Sequence, residues 1–155
     1  MPRVIGADNV SVMCSWADAS YAVHHDMRSH TGGGTSFGTG LVHTKCSKQK
    51  INTKSSTKAE VVATSDYLLH TVWIGNFMKD QGVKITEKIF YQDNKSAIQI
   101  EKNGKTLSSD RTRHINIRFF FIKDILKREN IDVQHCKTEK MIADFLLSIY
   151  KVYIL

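Results

Sequence analysis

The order of the predicted elements indicates an α/β domain built on a mixed β-sheet with helices on both faces. Three predicted strands come first, followed by a helix, a strand, two helices, a strand and a final helix. Antiparallel strands followed by strands that alternate with helices are typical of such a mixed sheet. A length of 155 residues suits one domain with a core of ordinary size.

Composition and charge restrict the class of protein. Hydrophobic residues make up 41% and charged residues 24%, as is ordinary for soluble globular proteins. No apolar run reaches the roughly 18 residues of a membrane-spanning helix, so we expect no membrane partner, and residues 1–6 lack the apolar core of a signal peptide. Cys14, Cys46 and Cys136 are scattered. This pattern favours reduced thiols in an intracellular protein, in cytoplasm or nucleus, over a disulfide framework or a zinc finger.

The first half of the chain is predicted to begin with an irregular lead-in (residues 1–10), a strand (11–20) and a loop (21–35). A hairpin of two strands (36–44 and 45–53) and a long helix (57–82) follow. We interpret Gly32, Gly33 and Gly34 as turn formers in the loop. Thr57 and Glu60 have the spacing of a capping box, which predicts the start of the long helix and a structural role for Glu60.

The second half is predicted to begin with a strand (residues 88–93), a short helix (94–102) and a basic loop (105–113). A helix (114–129), a strand (131–136) and a final helix (138–150) follow. Phe119, Phe120 and Phe121 run around one helix, so we expect that helix to be well buried. Residues 11–146 are taken as the domain, and residues 147–155 as an apolar C-terminal tail.

Clustered cations indicate a polyanionic partner. The net charge is +7, and five lysines with no acid lie between Lys45 and Lys58. A second basic run contains Lys102, Lys105, Arg111 and Arg113. Such clusters suit phosphate neutralisation. A solvated, lysine-rich hairpin face explains the first cluster equally well.

Four isolated carboxylates lie at strand ends or on helices: Asp18, Glu60, Asp93 and Asp144. Either Asp93 or Asn94 alone can be explained as a helix N-cap. However, the first and fourth strands of a mixed sheet can lie side by side and bring these acids together. Crowded carboxylates raise one another's pKa values unless they bind cations. A ligand set of oxygens alone favours magnesium over zinc, and two such ions can promote attack of water on a phosphodiester.

Several segments in order resemble the ribonuclease H domain at the end of copia-type LTR retrotransposon polyproteins. The resemblance runs from about Val12 to Leu146 and is carried by residues 16–19, 27–33, 55–60, 91–98, 111–118 and 143–146. Two departures stand out. Residues 147–155 replace a usual Thr-Lys-Pro element, and Lys58 replaces a common Glu.

The resemblance implies a ribonuclease H-like fold, with a five-stranded mixed sheet in the order 3-2-1-4-5. It also implies a metal-dependent endoribonuclease that cuts the RNA strand of RNA–DNA hybrids and leaves 5′-phosphate and 3′-hydroxyl ends. Asp18 and Asp93 would be the central metal ligands, Glu60 would hold one metal, and Asp144 would be the fourth acid. The implied cofactor is two Mg²⁺ ions, with Mn²⁺ as a substitute. The implied partners are the hybrid and a reverse transcriptase domain outside this chain.

Further residues are expected to contact nucleic acid: Lys48, Lys50, Lys95, Ser96, Arg111 and Arg113. Phosphate contact is favoured for the arginines, Ser96 either contacts substrate or lies in the first helical turn, and His114 is expected to make a structural bond. Two alternatives to an active hybrid nuclease stay open. One is a catalytically inactive relic that binds nucleic acid, and the other is an integrase-like nuclease that acts on DNA.

Overall fold

The structure is a computed structural model, and it describes residues 9–103 and 113–154. The strands are β1 (Val12–Ser20), β2 (His30–Ser36), β3 (Leu41–Lys48), β4 (Glu87–Gln92) and β5 (Ile131–His135). The helices are α1 (Ser56–Asp80), α2 (Lys95–Asn103), α3 (Arg113–Arg128) and α4 (Ile142–Ile154), and a 3₁₀ turn at Thr138–Lys140 precedes α4.

The five strands form one mixed sheet in the order β3-β2-β1-β4-β5, as predicted. β1 pairs antiparallel with β2, and β2 antiparallel with β3. β4 lies parallel to both β1 and β5. Because β1 and β4 are parallel neighbours, their carboxyl ends meet at the same edge of the sheet. That edge is where open α/β sheets bind ligands.

β2 contains the three consecutive glycines, so their interpretation as turn formers in a loop is wrong. A Cβ added to Gly33 would lie 2.1 Å from the ring of Tyr67, and one added to Gly32 would lie 2.8 Å from Leu147. Side chains from α1 and α4 therefore occupy the space on both faces of this strand. Glycine also removes the alternating pattern on which strand prediction depends. The predicted hairpin was consequently placed too late in the chain.

Helices cover both faces of the sheet, as expected. The larger core lies under α1, α2 and α3, and its fully buried side chains include Leu68, Phe90, Phe119 and Ile122. A smaller cluster on the other face holds Trp16 with Met141 and Ala143 beside α4. Phe120 is 56% exposed, which contradicts the expectation that all three consecutive phenylalanines are buried. Successive residues point about 100° apart on a helix, so a helix that covers one face of a sheet leaves one of three exposed.

α4 begins at Ile142, later than predicted, because Thr138–Lys140 forms a separate 3₁₀ turn. The helix continues to Ile154 and so runs through the expected boundary between domain and tail at residue 147. Leu147 itself is fully buried. Within the described parts of the chain, no helix combines the length and the hydropathy needed to cross a bilayer.

Candidate metal centre

Three of the four predicted acids meet at the carboxyl edge of the sheet. Asp18 lies near the end of β1, Asp93 directly follows β4, and Glu60 projects from the second turn of α1. One carboxylate oxygen from each residue lies within 4.8 Å of the others. Asp18 and Glu60 are buried, whereas Asp93 is partly exposed. The cluster thus opens toward solvent on the side of Asp93.

Glu60 has no capping role. The N-cap of α1 is Ser55, whose side-chain oxygen accepts a hydrogen bond of 3.3 Å from the backbone N–H of Lys58. The predicted capping box starting at Thr57 is therefore wrong, because the third helical position, which the box reserves for Glu, is Lys58. Glu60 lies further along the helix and is turned inward, with only 6% of its surface exposed.

Asp93 is also free of a capping role. Asn94 caps α2, since its side-chain oxygen accepts hydrogen bonds from the backbone N–H groups of Ser96 (3.0 Å) and Ala97 (3.1 Å). The hydroxyl of Thr138 donates to Oδ2 of Asp93 at 3.3 Å. The choice between Asp93 and Asn94 is thereby decided in favour of Asn94, and the Asp93 carboxylate remains available to a ligand.

Gln92 positions the turn that carries Asp93, and the sequence patterns did not single it out. Its side chain is fully buried. Oε1 accepts hydrogen bonds from the backbone N–H groups of Asp93 (2.8 Å) and Asn94 (3.2 Å). Nε2 donates to Oγ1 of Thr64 at 3.3 Å, one helical turn beyond Glu60. Gln92 therefore ties Asp93 to the helix that carries Glu60. The available signal was its place two residues after Phe90, on the same inward face of β4.

Burial and mutual repulsion dominate the electrostatics of the cluster. The pKa of Glu60 is raised to about 10, first by burial and then by the charges of Asp18 and Asp93. Burial, followed by the charge of Asp93, raises the pKa of Asp18 to about 6, although the N–H of Ala19 donates to its Oδ1 at 2.7 Å. Among the described residues, Oε2 of Glu60 is buried without a hydrogen-bond partner. Oxygen-only donors and an orphaned buried oxygen fit a hard divalent cation.

Asp144, the fourth predicted acid, lies at the margin of the cluster. It occupies the first turn of α4 and is half-buried. Its charge contributes to the raised pKa of Asp18, so the two carboxylates are near each other. However, Asp144 does not belong to the group of three whose oxygens lie within 4.8 Å.

The residues predicted to bind nucleic acid lie in separate places. Lys95 and Ser96 are exposed at the start of α2, directly after Asp93 and Asn94. Lys48 and Lys50 are exposed at and beyond the end of β3. Arg111 lies outside the described residues. Arg113 and His114 belong to α3 by their backbone, but their side chains are outside the description.

Comparison with solved structures identifies the fold as that of ribonuclease H. LC11-RNase H1, isolated from compost by a metagenomic approach, superposes with a TM-score of 0.66 at 16% identity, over 88% of this chain and 92% of that one. Its complex with an RNA/DNA hybrid gives a TM-score of 0.63 at 15% identity, over 86% and 92%. The protease–reverse transcriptase of prototype foamy virus gives 0.57 at 14% identity, over 99% of this chain and 22% of that one.

In sequence, the chain is similar to retrovirus-related Pol polyproteins of plant transposons. It is 29% identical over 139 residues to the polyprotein of transposon TNT 1-94 from Nicotiana tabacum, and 26% identical over 140 residues to that of transposon RE1 from Arabidopsis thaliana. Each match covers 89% of this chain, which spans about a tenth of the length of these relatives. No protein-family model matches. The resemblance to a ribonuclease H domain of a retrotransposon Pol polyprotein is thus confirmed.

Proposed function

We propose that this chain is a metal-dependent endoribonuclease that hydrolyses the RNA strand of RNA–DNA hybrids. The observation that carries the proposal is the convergence of Asp18, Glu60 and Asp93 within 4.8 Å, at the ligand-binding edge of a ribonuclease H fold. The solved complex of LC11-RNase H1 with an RNA/DNA hybrid supports the choice of substrate. Products with 5′-phosphate and 3′-hydroxyl ends are part of the proposal.

The three clustered acids are proposed as ligands of divalent ions. Two Mg²⁺ ions held there, replaceable by Mn²⁺, would supply the chemistry of an activated water and of charge stabilisation at the leaving oxygen of the phosphodiester. Asp18 and Asp93 would be the central ligands, and Glu60 brings a buried carboxyl group whose Oε2 has no hydrogen-bond partner among the described residues. Asp144 contributes the fourth carboxylate from α4.

The protein around the acids keeps them in place before substrate arrives. Gln92 and Asn94 hold the turn at Asp93 through backbone N–H groups, and Thr138 donates to its carboxylate. A site whose ligands are held by surrounding hydrogen bonds pays little reorganisation when charge develops in the reaction. Lys95 and Ser96, exposed beside this turn, are proposed to contact the substrate backbone.

The test is digestion of a hybrid with labelled RNA, with single-stranded RNA and duplex DNA as separate substrates. In the presence of Mg²⁺, the protein should cut the RNA of the hybrid and spare the other two, and a chelator should stop the reaction. Asp93→Asn should abolish cutting while it leaves hybrid binding largely intact. Asp132→Asn, which changes an exposed acid on β5, is the matched control. Cutting that survives Asp93→Asn would refute the assignment of Asp93, and binding without any cutting would favour the inactive relic.

Metal binding by the acids can be measured independently of cleavage, through the melting temperature. Mg²⁺ or Mn²⁺ should raise the melting temperature of the native protein, because the ions bind the folded state alone. The same ions should have little effect on Asp93→Asn. Reverse transcription is the proposed setting, and a reverse transcriptase module the proposed neighbour, in line with the match to the foamy virus protease–reverse transcriptase.

A further inference from the structure

A buried carboxyl group outside the acid cluster has no part in the proposed function. Glu101, in α2, is fully buried, and among the described residues neither of its oxygens has a hydrogen bond of normal geometry. Burial raises its pKa to about 7, and the hydroxyl of Thr64 on α1 opposes this increase. A carboxylate in the interior of a protein requires a hydrogen-bond donor once it is ionised. The donor that the structure places beside Glu101 is the hydroxyl of Thr64.

Thr64 links Glu101 to the acid cluster. It is fully buried, and its Oγ1 accepts a hydrogen bond of 3.3 Å from Nε2 of Gln92. The amide of Gln92 is fixed in this orientation, because its Oε1 accepts from the backbone N–H groups of Asp93 and Asn94. The contact with Gln92 does not use the hydroxyl proton of Thr64, which is available for donation. A chain of polar groups therefore runs from the backbone of Asp93, through these two buried side chains, to Glu101.

The charge of Glu101 decides how this chain is polarised. An ionised Glu101 has only acceptors, so Thr64 donates to it and every hydrogen bond of the chain points from Asp93 towards Glu101. Hydrogen bonds aligned in one direction strengthen one another in the interior of a protein. A protonated Glu101 donates to Oγ1 of Thr64 instead, and two donors then converge on that oxygen. The aligned chain therefore exists only while Glu101 is charged.

The other charged groups around Glu101 come from the elements on which α2 packs, which are α1, α3, β4 and β5. They are Lys102 of α2 itself, Lys123 and Lys127 of α3, Asp132 of β5, and Glu60, one turn before Thr64 in α1; β4 contributes the uncharged Gln92. Lys102 contacts Asp132 at 3.7 Å, and both lysines of α3 are exposed. Burial and Thr64 are the influences on the pKa of Glu101, so its charge is coupled to the chain of polar groups.

We propose that Glu101 is a positioning residue, which acts through Thr64 and Gln92 to set how firmly the turn at Asp93 is held. The inference rests on the proposed function, because it concerns the affinity of the acid cluster for divalent cations. An ionised Glu101 tightens the turn and raises that affinity. Coupling between two sites is reciprocal, so a bound divalent ion also favours the ionised form of Glu101. The charge of Glu101 thus supports metal binding although its burial destabilises the fold.

The test is binding of Mn²⁺ without substrate, measured by isothermal titration calorimetry at pH 5.5 and pH 8. Glu101→Gln, which cannot ionise, should bind Mn²⁺ about threefold more weakly than the native protein at pH 8 and equally well at pH 5.5. Glu87→Gln, an exposed acid at the other end of β4, is the matched control and should bind like the native protein at both pH values. A merely structural role of Glu101 predicts no such dependence of the affinity ratio on pH.

Two variants of Thr64 separate the chain of hydrogen bonds from a direct effect of charge through space. Thr64→Val removes the hydroxyl and keeps the shape of the side chain, so it should bind Mn²⁺ as weakly as Glu101→Gln at pH 8. The double variant should show no further loss. Thr64→Ser keeps the hydroxyl and should bind like the native protein.

A second measurement uses the native protein alone. Saturating Mg²⁺ should lower the pKa of Glu101, followed by NMR of its carboxyl carbon, by about 0.5, which is the logarithm of the threefold change in affinity. An unchanged pKa would overturn the inference even if Thr64→Val does not fold. Native affinity at pH 8 in Glu101→Gln or in Thr64→Val would also overturn it, and would leave the proposed function intact. If the coupling is found but the hybrid is never cut, the nuclease activity fails and the role of Glu101 stands.

Discussion

Glu101, in α2, is predicted to make the stability of the protein depend on pH. Its side chain is fully buried, and within the described residues neither carboxylate oxygen has a hydrogen bond of normal geometry. Burial raises its pKa from 4.5 to about 7, and the nearby hydroxyl of Thr64 offsets this only in part. The unfolded chain therefore releases this proton at a lower pH than the folded chain, and rising pH favours unfolding.

The size of the effect follows from the two pKa values. Each pKa unit corresponds to about 1.4 kcal/mol, so the protonated form of Glu101 contributes about 3 kcal/mol that is present below pH 4.5 and lost as the pH rises to about 7. Glu101→Gln keeps the shape of the side chain and removes the titrating carboxyl group. Relative to the native protein, we expect this variant to gain about 3 kcal/mol between pH 4.5 and pH 8.

Urea unfolding at pH 4.5, 6 and 8, followed by tryptophan fluorescence, measures this difference. The other titrating acids are common to both proteins, so their contributions cancel in the comparison. Glu139→Gln, at an exposed position, is the control and should show no such dependence on pH. If Glu101→Gln gains no stability relative to the native protein between pH 4.5 and pH 8, the reasoning is refuted.

Three further predictions concern positions that hold the fold and the acids. Gln92→Leu leaves two backbone N–H donors without an acceptor, at a cost of about 1–3 kcal/mol in the free energy of unfolding, and should raise the Mg²⁺ concentration needed for half-maximal hybrid cleavage. Gln134→Leu, at an exposed position, is the control and should leave that concentration unchanged. Equal Mg²⁺ concentrations for the two variants would contradict the role of Gln92. Gly33→Ala places a Cβ 2.1 Å from the Tyr67 ring and should lower the free energy of unfolding in urea by about 2 kcal/mol or more. Gly82→Ala is the comparison: it strains only the backbone of a turn, where φ is +80°, and should lower the free energy of unfolding by about 1 kcal/mol. A smaller loss for Gly33→Ala than for Gly82→Ala would argue against the packing of Tyr67 on Gly33. Ser55→Ala should cost about 1 kcal/mol through loss of the helix cap, and an unchanged urea midpoint would show that the cap contributes nothing.

The family resemblance implied the sheet order, and the strand pattern together with the resemblance predicted that acids from different elements meet. β1 and β4 are apolar strands that each have an acid at or near the carboxyl end, and parallel neighbours bring such ends together. Glu60 does lie near the start of the long helix, but the capping box that predicted this helix start is wrong. Ser55, Ser56 and Thr57 are all suitable caps, and local preference does not choose among them. The choice of Ser55 leaves Glu60 free to turn inward.

The parts that sequence patterns did not predict are those determined by tertiary packing. β2 has glycines where an alternating strand would show large side chains, since Tyr67 and Leu147 already fill both faces. Gln92 is a polar residue in the interior, and hydrophobic periodicity carries no signal for a hydrogen bond to Thr64. Phe120 shows the opposite error, because the sequence pattern predicts burial for an aromatic residue on a core helix, whereas Phe120 faces solvent.

The glycines of β2 also determine how thick the molecule is beside its acids. Tyr67 and Leu147 rest directly on bare backbone from opposite sides, so main-chain atoms set the spacing between α1 and α4 there. Glu60 and Asp144 are carried by these two helices, on either side of Asp18, whose partner in β2 is Gly32. A single methyl group added to this strand would push one helix outward and separate the carboxylates. Residues that bind no ligand themselves thereby set the spacing of the site.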